Sequence, residues 1–210
     1  MKSNRRNFIK IAGLAGTGIL IGCTARKPVK VISDMKVAYI RESTVQDKYN
    51  KFAVKATEEK FVKIPIMLRA IATAEGIHAA NHKKVLVKLK GNYEGSPIGN
   101  FEVKSTLDNL QEGLQTETYE IEVMYPNFIK EAKAENVQDA VDSFTWAYQV
   151  EIQHQGYYHI AITAFGTGSE LTLPDKWYVC PKCGGTYAEA DVKATCYFDP
   201  TPKTQFFEFK

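Results

Sequence analysis

Glu75-Gly76-Ile77-His78 and Glu151-Ile152-Gln153-His154 decide the reading of this chain. Residues i and i+3 share one face of an α-helix, so each tetrapeptide aims a carboxylate and an imidazole at the same spot. Composition alone would give roughly 0.3 such matches. One match fits a surface pair; two in equivalent positions of the two halves do not. A glutamate lies upstream of each, Glu42 by 33 residues (75 − 42) and Glu117 by 34 (151 − 117). Two helices carrying Glu-x-x-His and two carrying one glutamate each are the parts of a carboxylate-bridged dimetal site in a four-helix bundle.

The surrounding sequence supplies four helices. Val37, Ile40, Val45, Tyr49 and Phe52 recur mostly at steps of three or four, which predicts a first helix over 33–60, capped by Ser33 or Asp34. Pro65 suits a first turn and opens a second helix to about Lys90. Gly91 to Lys104 is rich in Gly, Asn, Ser and Pro and reads as a loop crossing to the other pair. A third helix is expected over 106–135, with Ser105 as its cap and Pro126 kinking or shortening it. A fourth runs from Val137 to Ala164 and stops at Gly166 and Gly168. Two helical hairpins joined by a crossover make the ferritin-like arrangement. Phe128, Phe144, Trp146 and Tyr148 read as core packing, and His82 and His159, which lack a motif partner, as structural.

The amino terminus reads as an export signal over residues 1–23, followed by a linker over 24–33. Arg5-Arg6-Asn7-Phe8-Ile9-Lys10 resembles the twin-arginine motif. The apolar stretch from Ile11 to Gly22 is too short for a bilayer, which needs about 20 residues. Leu20-Ile21-Gly22-Cys23 resembles a bacterial lipobox, which would make Cys23 the lipidated first residue of a mature protein held at a membrane on the periplasmic or extracellular side. The formal net charge of +3 and the lack of a basic stripe give no sign of a nucleic-acid partner. With Cys23 assigned to the lipobox, the three remaining cysteines are too odd a number for a disulfide framework and suit metal thiolates.

Glu117-Thr118-Tyr119-Glu120 running into Met124-Tyr125-Pro126-Asn127-Phe128, with the spacings above, resembles the rubrerythrin family over nearly all of the mature chain. The resemblance implies a dimetal domain over 34–168 and iron ligands at Glu42, Glu75, His78, Glu117, Glu120, Glu151 and His154, with Glu75 and Glu151 bridging. Glu120 is the discriminating residue, because a generic site of this kind needs four glutamates and rubrerythrins add a fifth. In that family one iron moves between the first-motif histidine and the extra glutamate, here His78 and Glu120, which makes these two the catalytic candidates. Tyr49 and Tyr125 correspond to tyrosines that hydrogen-bond ligand carboxylates, although core packing explains them nearly as well.

The last block, 172–210, contains Cys180-Pro181-Lys182-Cys183-Gly184, which resembles the first knuckle of a rubredoxin. A complete second knuckle would carry cysteine where this chain has Asp199, three residues after Cys196. Asp199 can ligate iron or zinc with Cys180, Cys183 and Cys196; water can take its place; or the site can be empty. The expectation is an all-α ferritin-like bundle with a small rubredoxin-like metal domain, holding two irons and one iron or zinc. The implied activity is reduction of hydrogen peroxide to water, with electrons from a donor that the sequence does not identify. Ferroxidase activity and simple iron binding are the alternatives. The two sites of one chain are expected to lie far apart, and relatives bridge such a gap in head-to-tail dimers, which implies a homodimer.

Overall fold

A computed structural model of the chain describes residues 27–93 and 98–210. The twin-arginine motif, the apolar stretch and Cys23 lie outside the described residues. Helix α1 spans Val29–Glu58 and α2 Lys63–Lys88. Helix α1 begins four residues before Ser33, so residues 29–33 are helix rather than linker. Neither Ser33 nor Asp34 caps it. The first amides are met instead by the Glu135 carboxylate, which accepts from Lys30 N (3.3 Å) and Val31 N (2.9 Å). The start of α2 is served the same way by Glu170, which accepts from the amides of Val62, Lys63 and Ile64. A carboxylate at a helix N-terminus satisfies orphan N–H groups and meets the positive end of the dipole. Both caps come from distant sequence, which is why local sequence placed the start of α1 four residues late; α2 opens at Lys63, with Pro65 in its first turn as expected.

The expected third helix is three pieces. Helix α3 spans Thr106–Tyr119, a π-helical turn covers Glu120–Met124, and α4 spans Tyr125–Ala134. Ser105 caps α3 by accepting from the Asp108 amide (3.2 Å). Pro126, near the start of α4, lacks an N–H, and the preceding wide turn absorbs the register change without ending the rod. Helix α5 spans Gln138–Gly166, and Gly168 past its end takes a positive φ of 66°.

Helix α1 packs along α2, and α5 packs along α3 and α4, so the two hairpins face each other. The core lies in two apolar clusters. One gathers Tyr49, Phe52, Met67, Ile71 and Tyr158; the other gathers Met35, Met124, Tyr125 and Phe144. Phe128 and Tyr148 pack against the second, as expected. Trp146 does not; it packs against the cysteine block, with Lys182 Nζ 5.4 Å from its ring centre.

The carboxyl-terminal block is a small antiparallel sheet of β1 (Trp177–Val179), β2 (Thr186–Ala188) and β3 (Phe207–Phe209), in the order β2-β1-β3. Trp177 pairs with Ala188 and Phe209 in register and meets the Tyr157 ring edge-on at 4.5 Å, which seats the sheet on α5. No helix among the described residues is long and apolar enough to cross a membrane.

Candidate metal centres

Between the two apolar clusters the bundle buries a group of charges. Glu42, Glu75, Glu117, Glu120 and Glu151 are each fully buried, as are His154 and all but 1% of His78. The structure gathers Glu42, Glu75, His78 and Glu151 into one set of possible ligand atoms within 4.8 Å of one another, and Glu75, Glu117, Glu151 and His154 into a second. Glu75 and Glu151 belong to both sets, the position that bridging carboxylates require. Each histidine turns Nδ1 inward. His78 Nδ1 lies 3.0 Å from Glu75 and 2.9 Å from Glu151; His154 Nδ1 lies 3.0 Å from Glu75 and 2.8 Å from Glu151.

Such crowding is costly without cations. Burial, reinforced by the neighbouring glutamates, raises the Glu42 and Glu117 carboxyls well above their usual range. Burial also lifts Glu120 to about 8, against the pull of Arg41. Burial opposes charge on His78 and His154 too, but the facing carboxylates outweigh it and hold both imidazoles above their usual range. Every one of the five glutamates keeps one oxygen without a hydrogen bond. Buried orphan oxygens on the four converging carboxylates Glu42, Glu75, Glu117 and Glu151, beside two imidazoles, are the donor set that iron takes, so the residues fit a pair of metal ions.

Glu120 is the exception to the clustering, since it joins neither ligand set. One of its oxygens accepts from Arg41 Nε, and the other has no partner. Arg41, which sequence reading passed over, stacks on Tyr119 at 4.8 Å and lines a surface groove. The two tyrosines serve the opposite hairpin's carboxylates. Tyr49 donates to Glu117 Oε1 (2.6 Å), and Tyr125 donates to Glu42 Oε1. Tyr158 is a third buried phenol, 5.5 Å from Tyr49 ring to ring. It was missed, although it lies seven residues after Glu151, the same two-turn offset that marks Tyr49. Gly113 makes its room: a Cβ there would lie 2.3 Å from the Tyr158 ring.

The cysteine block brings together all four of its expected residues. Cys180, Cys183, Cys196 and Asp199 are clustered within the same 4.8 Å limit. Cys183 Sγ lies 3.4 Å from Cys196 Sγ, and Asp199 Oδ2 lies 3.4 Å from Cys180 Sγ. The amides of Gly185 and Phe198 donate to Cys183 and Cys196, as negative sulfur requires. Three thiols share one site, so hydrogen bonds from its neighbours push Cys196 far down, and the same contacts with burial push Cys183 far up. Only a bound cation lets all three ionise together.

The expected wide separation of the two centres does not hold. Gly184, at φ 84°, is pressed against the bundle so closely that a Cβ would lie 2.5 Å from His78 Nε2. Thr186 Oγ1 lies 3.1 Å from His154 Nε2 and donates to Gly184 O (2.9 Å). The Thr186 amide donates to Gln153, and Tyr157 donates to the Thr186 carbonyl. Both histidines of the dimetal site therefore back onto the cysteine knuckle of their own chain.

A family model described as Rubrerythrin matches residues 35–161. Nigerythrin of Nitratidesulfovibrio vulgaris is 30% identical over 177 residues, covering 83% of this chain and 84% of its own. Rubrerythrin-2 of Clostridium acetobutylicum is 29% identical over 161 residues, covering 76% of this chain and 86% of its own. A solved structure of nigerythrin in the fully reduced, all-ferrous state superimposes with a TM-score of 0.76 at 29% identity, covering 85% of this chain and 86% of that one.

Proposed function

Since the chain belongs to the rubrerythrin family, an oxidoreductase family with two irons in the bundle and a further iron at a rubredoxin-like site, we propose that it reduces hydrogen peroxide to water. Glu42, Glu75, His78 and Glu151 would hold one iron, and Glu75, Glu117, Glu151 and His154 the other. When bound, the ferrous pair supplies the two electrons that peroxide reduction consumes along with two protons. The chain's own part is to hold those ions in a dry, carboxylate-rich shell and to orient that shell through Tyr49 and Tyr125. Glu120 is the observation that carries the reading. It is a fifth buried carboxylate with a free oxygen, beyond what either four-group set needs, and Arg41 balances its charge beside the site. Glu120 and His78 are the two side chains proposed to take part in turnover.

Cys180, Cys183, Cys196 and Asp199 would hold the third metal, iron or zinc, and as iron it would return electrons to the pair. The seating of Gly184 on His78 supports transfer within one chain, so a homodimer is proposed without being needed for this step. The Arg5-Arg6 pair and Cys23 support export and a lipid anchor on the outer side of a bacterial membrane.

The test is to load the protein anaerobically with ferrous iron and mix it rapidly with peroxide or with oxygen. Peroxide should oxidise the pair much faster, and Glu120→Ala should slow peroxide more than oxygen while keeping two irons. Equal rates with both oxidants would make the protein a ferroxidase. Iron binding without turnover would make it an iron-binding lipoprotein.

A further inference from the structure

His82 lies one turn beyond His78 on α2, fully buried, and belongs to neither metal set. Its partners give it a direction. Tyr125 donates its single hydroxyl proton to Glu42 Oε1, so toward His82 the phenol oxygen can only accept. His82 Nε2, 3.1 Å from that oxygen, therefore carries the ring proton. Nδ1 is then the bare nitrogen, and Ser143 Oγ at 2.8 Å donates to it. Burial, with His78 nearby, pushes His82 down to about 3, so the ring is neutral and the tautomer well defined. Ser143 in turn lines a surface cavity of about 270 Å³ with Asn81, Lys84, Lys88, Asp139 and Asp142. The rings of Phe144 and Tyr125 flank His82 at 5.3 and 6.0 Å. The other oxygen of Glu42 has no hydrogen bond, and Glu42 belongs to the first ligand set.

We propose that Ser143, His82 and Tyr125 form a proton line from the surface cavity to the dimetal site, ending on Glu42. The assignment rests on the peroxide-reducing reading of the bundle, which needs two protons for every two electrons. In one passage the Ser143 hydroxyl proton moves to His82 Nδ1, the Nε2 proton to the Tyr125 oxygen and the Tyr125 proton to Glu42. Ser143 regains a proton from water in the cavity. Each O–H or N–H bond broken is matched by one formed, and no electron moves along the line. The imidazole ends as its other tautomer and must return before the next passage. An alternative ring such as phenylalanine would fill the same space, but only an imidazole both accepts and donates at opposite edges.

The experiment uses the full chain. First, 15N NMR of the zinc-loaded protein should show His82 neutral with its proton on Nε2, and Ser143→Ala should slow exchange of that proton with water about ten-fold. Second, single-turnover oxidation of the ferrous protein by peroxide should show a solvent deuterium isotope effect. His82→Gln keeps an amide to hold Tyr125 and Ser143 but cannot pass a proton. It should bind two irons yet slow the reaction roughly 10²-fold. A proton on Nδ1, or a His82→Gln variant as fast as wild type with the same isotope effect, overturns the line. If wild type is inert to peroxide, the peroxidase reading falls. The tautomer and the Ser143-dependent exchange then decide the line on their own.

Discussion

The two metal centres are held by opposite means. In the bundle, six buried glutamate and histidine side chains hang from the interior faces of α1, α2, α3 and α5 and a seventh, Glu120, from the π-turn, and packing of whole helices fixes where they point. In the knuckle, four side chains hang from short loops, and individual amide hydrogen bonds to sulfur do the positioning. The bundle pays for unpaired charge in burial, so its metal is part of what makes the core tolerable. The knuckle is smaller, and only Asp199 departs from an all-thiolate set. The two should therefore respond differently to loss of one ligand, and each should survive damage to the other.

The largest effect is expected at the shared carboxylates. Glu151→Ala removes a group common to both sets and leaves His78 and His154 without their shortest carboxylate contacts. Metal analysis should find one iron or fewer in the bundle, against two in wild type, with the cysteine-bound metal unchanged. Two irons retained in the bundle would show that Glu151 is not shared. Next comes Asp199, whose Oδ1 already accepts from the Thr201 amide (2.7 Å) while Oδ2 faces Cys180. Asp199→Ala should loosen the knuckle metal and leave the bundle pair intact, as read by metal retention under chelation. Asp199→Cys should strengthen thiolate-to-iron absorption, because sulfur is the softer donor. Equal retention in wild type and Asp199→Ala would remove the aspartate from the ligand set.

What was legible in the sequence follows from the same contrast. The i, i+3 spacing of Glu75/His78 and Glu151/His154 is a property of the helix itself, so the site could be assembled before any packing was known. The cysteine spacing fixed the knuckle for a similar reason. Glu135 and Glu170 capping α1 and α2, Arg41 reaching Glu120, and Ser143 reaching His82 all join residues far apart in sequence. No local period records such contacts. The seating of Gly184 on His78 belongs to the same class, and it was missed because nothing in either segment states which face of the bundle the knuckle covers. The π-turn at Glu120 was half legible: Pro126 announced a disturbance, and tertiary packing decided that the rod would continue.

His82 offers a pH test that separates the bundle's structure from its metal. Its folded pKa, about 3, lies below the ordinary value of 6.5. The unfolded chain thus binds a proton that the folded chain refuses. This contribution is intact above pH 6.5 and is lost as pH falls from there toward 3, at about 1.4 kcal/mol per pH unit. Denaturant melts of wild type and His82→Leu should diverge in slope below pH 6.5, with the variant the flatter. Parallel slopes would mean that His82 is already charged in the folded protein.

The smallest effect should appear where the two centres touch. Thr186 has one hydroxyl proton, and it goes to the Gly184 carbonyl. Toward His154 its oxygen can only accept, so Nε2 of that ring carries a proton, and Nδ1 is the nitrogen that would be left to bind a metal. His78 has no such partner at Nε2, where Gly184 packs without a hydrogen bond. Thr186→Val keeps the shape and removes the lock. One neutral hydrogen bond contributes on the order of 1 kcal/mol, so stability should fall only slightly. The affinity of the bundle for its metals should fall by about ten-fold, the lower end of what such supporting contacts carry, and the site that includes His154 should empty before the one that includes His78. Equal loss from both sites would mean that the hydroxyl holds the knuckle in place and does not set the tautomer.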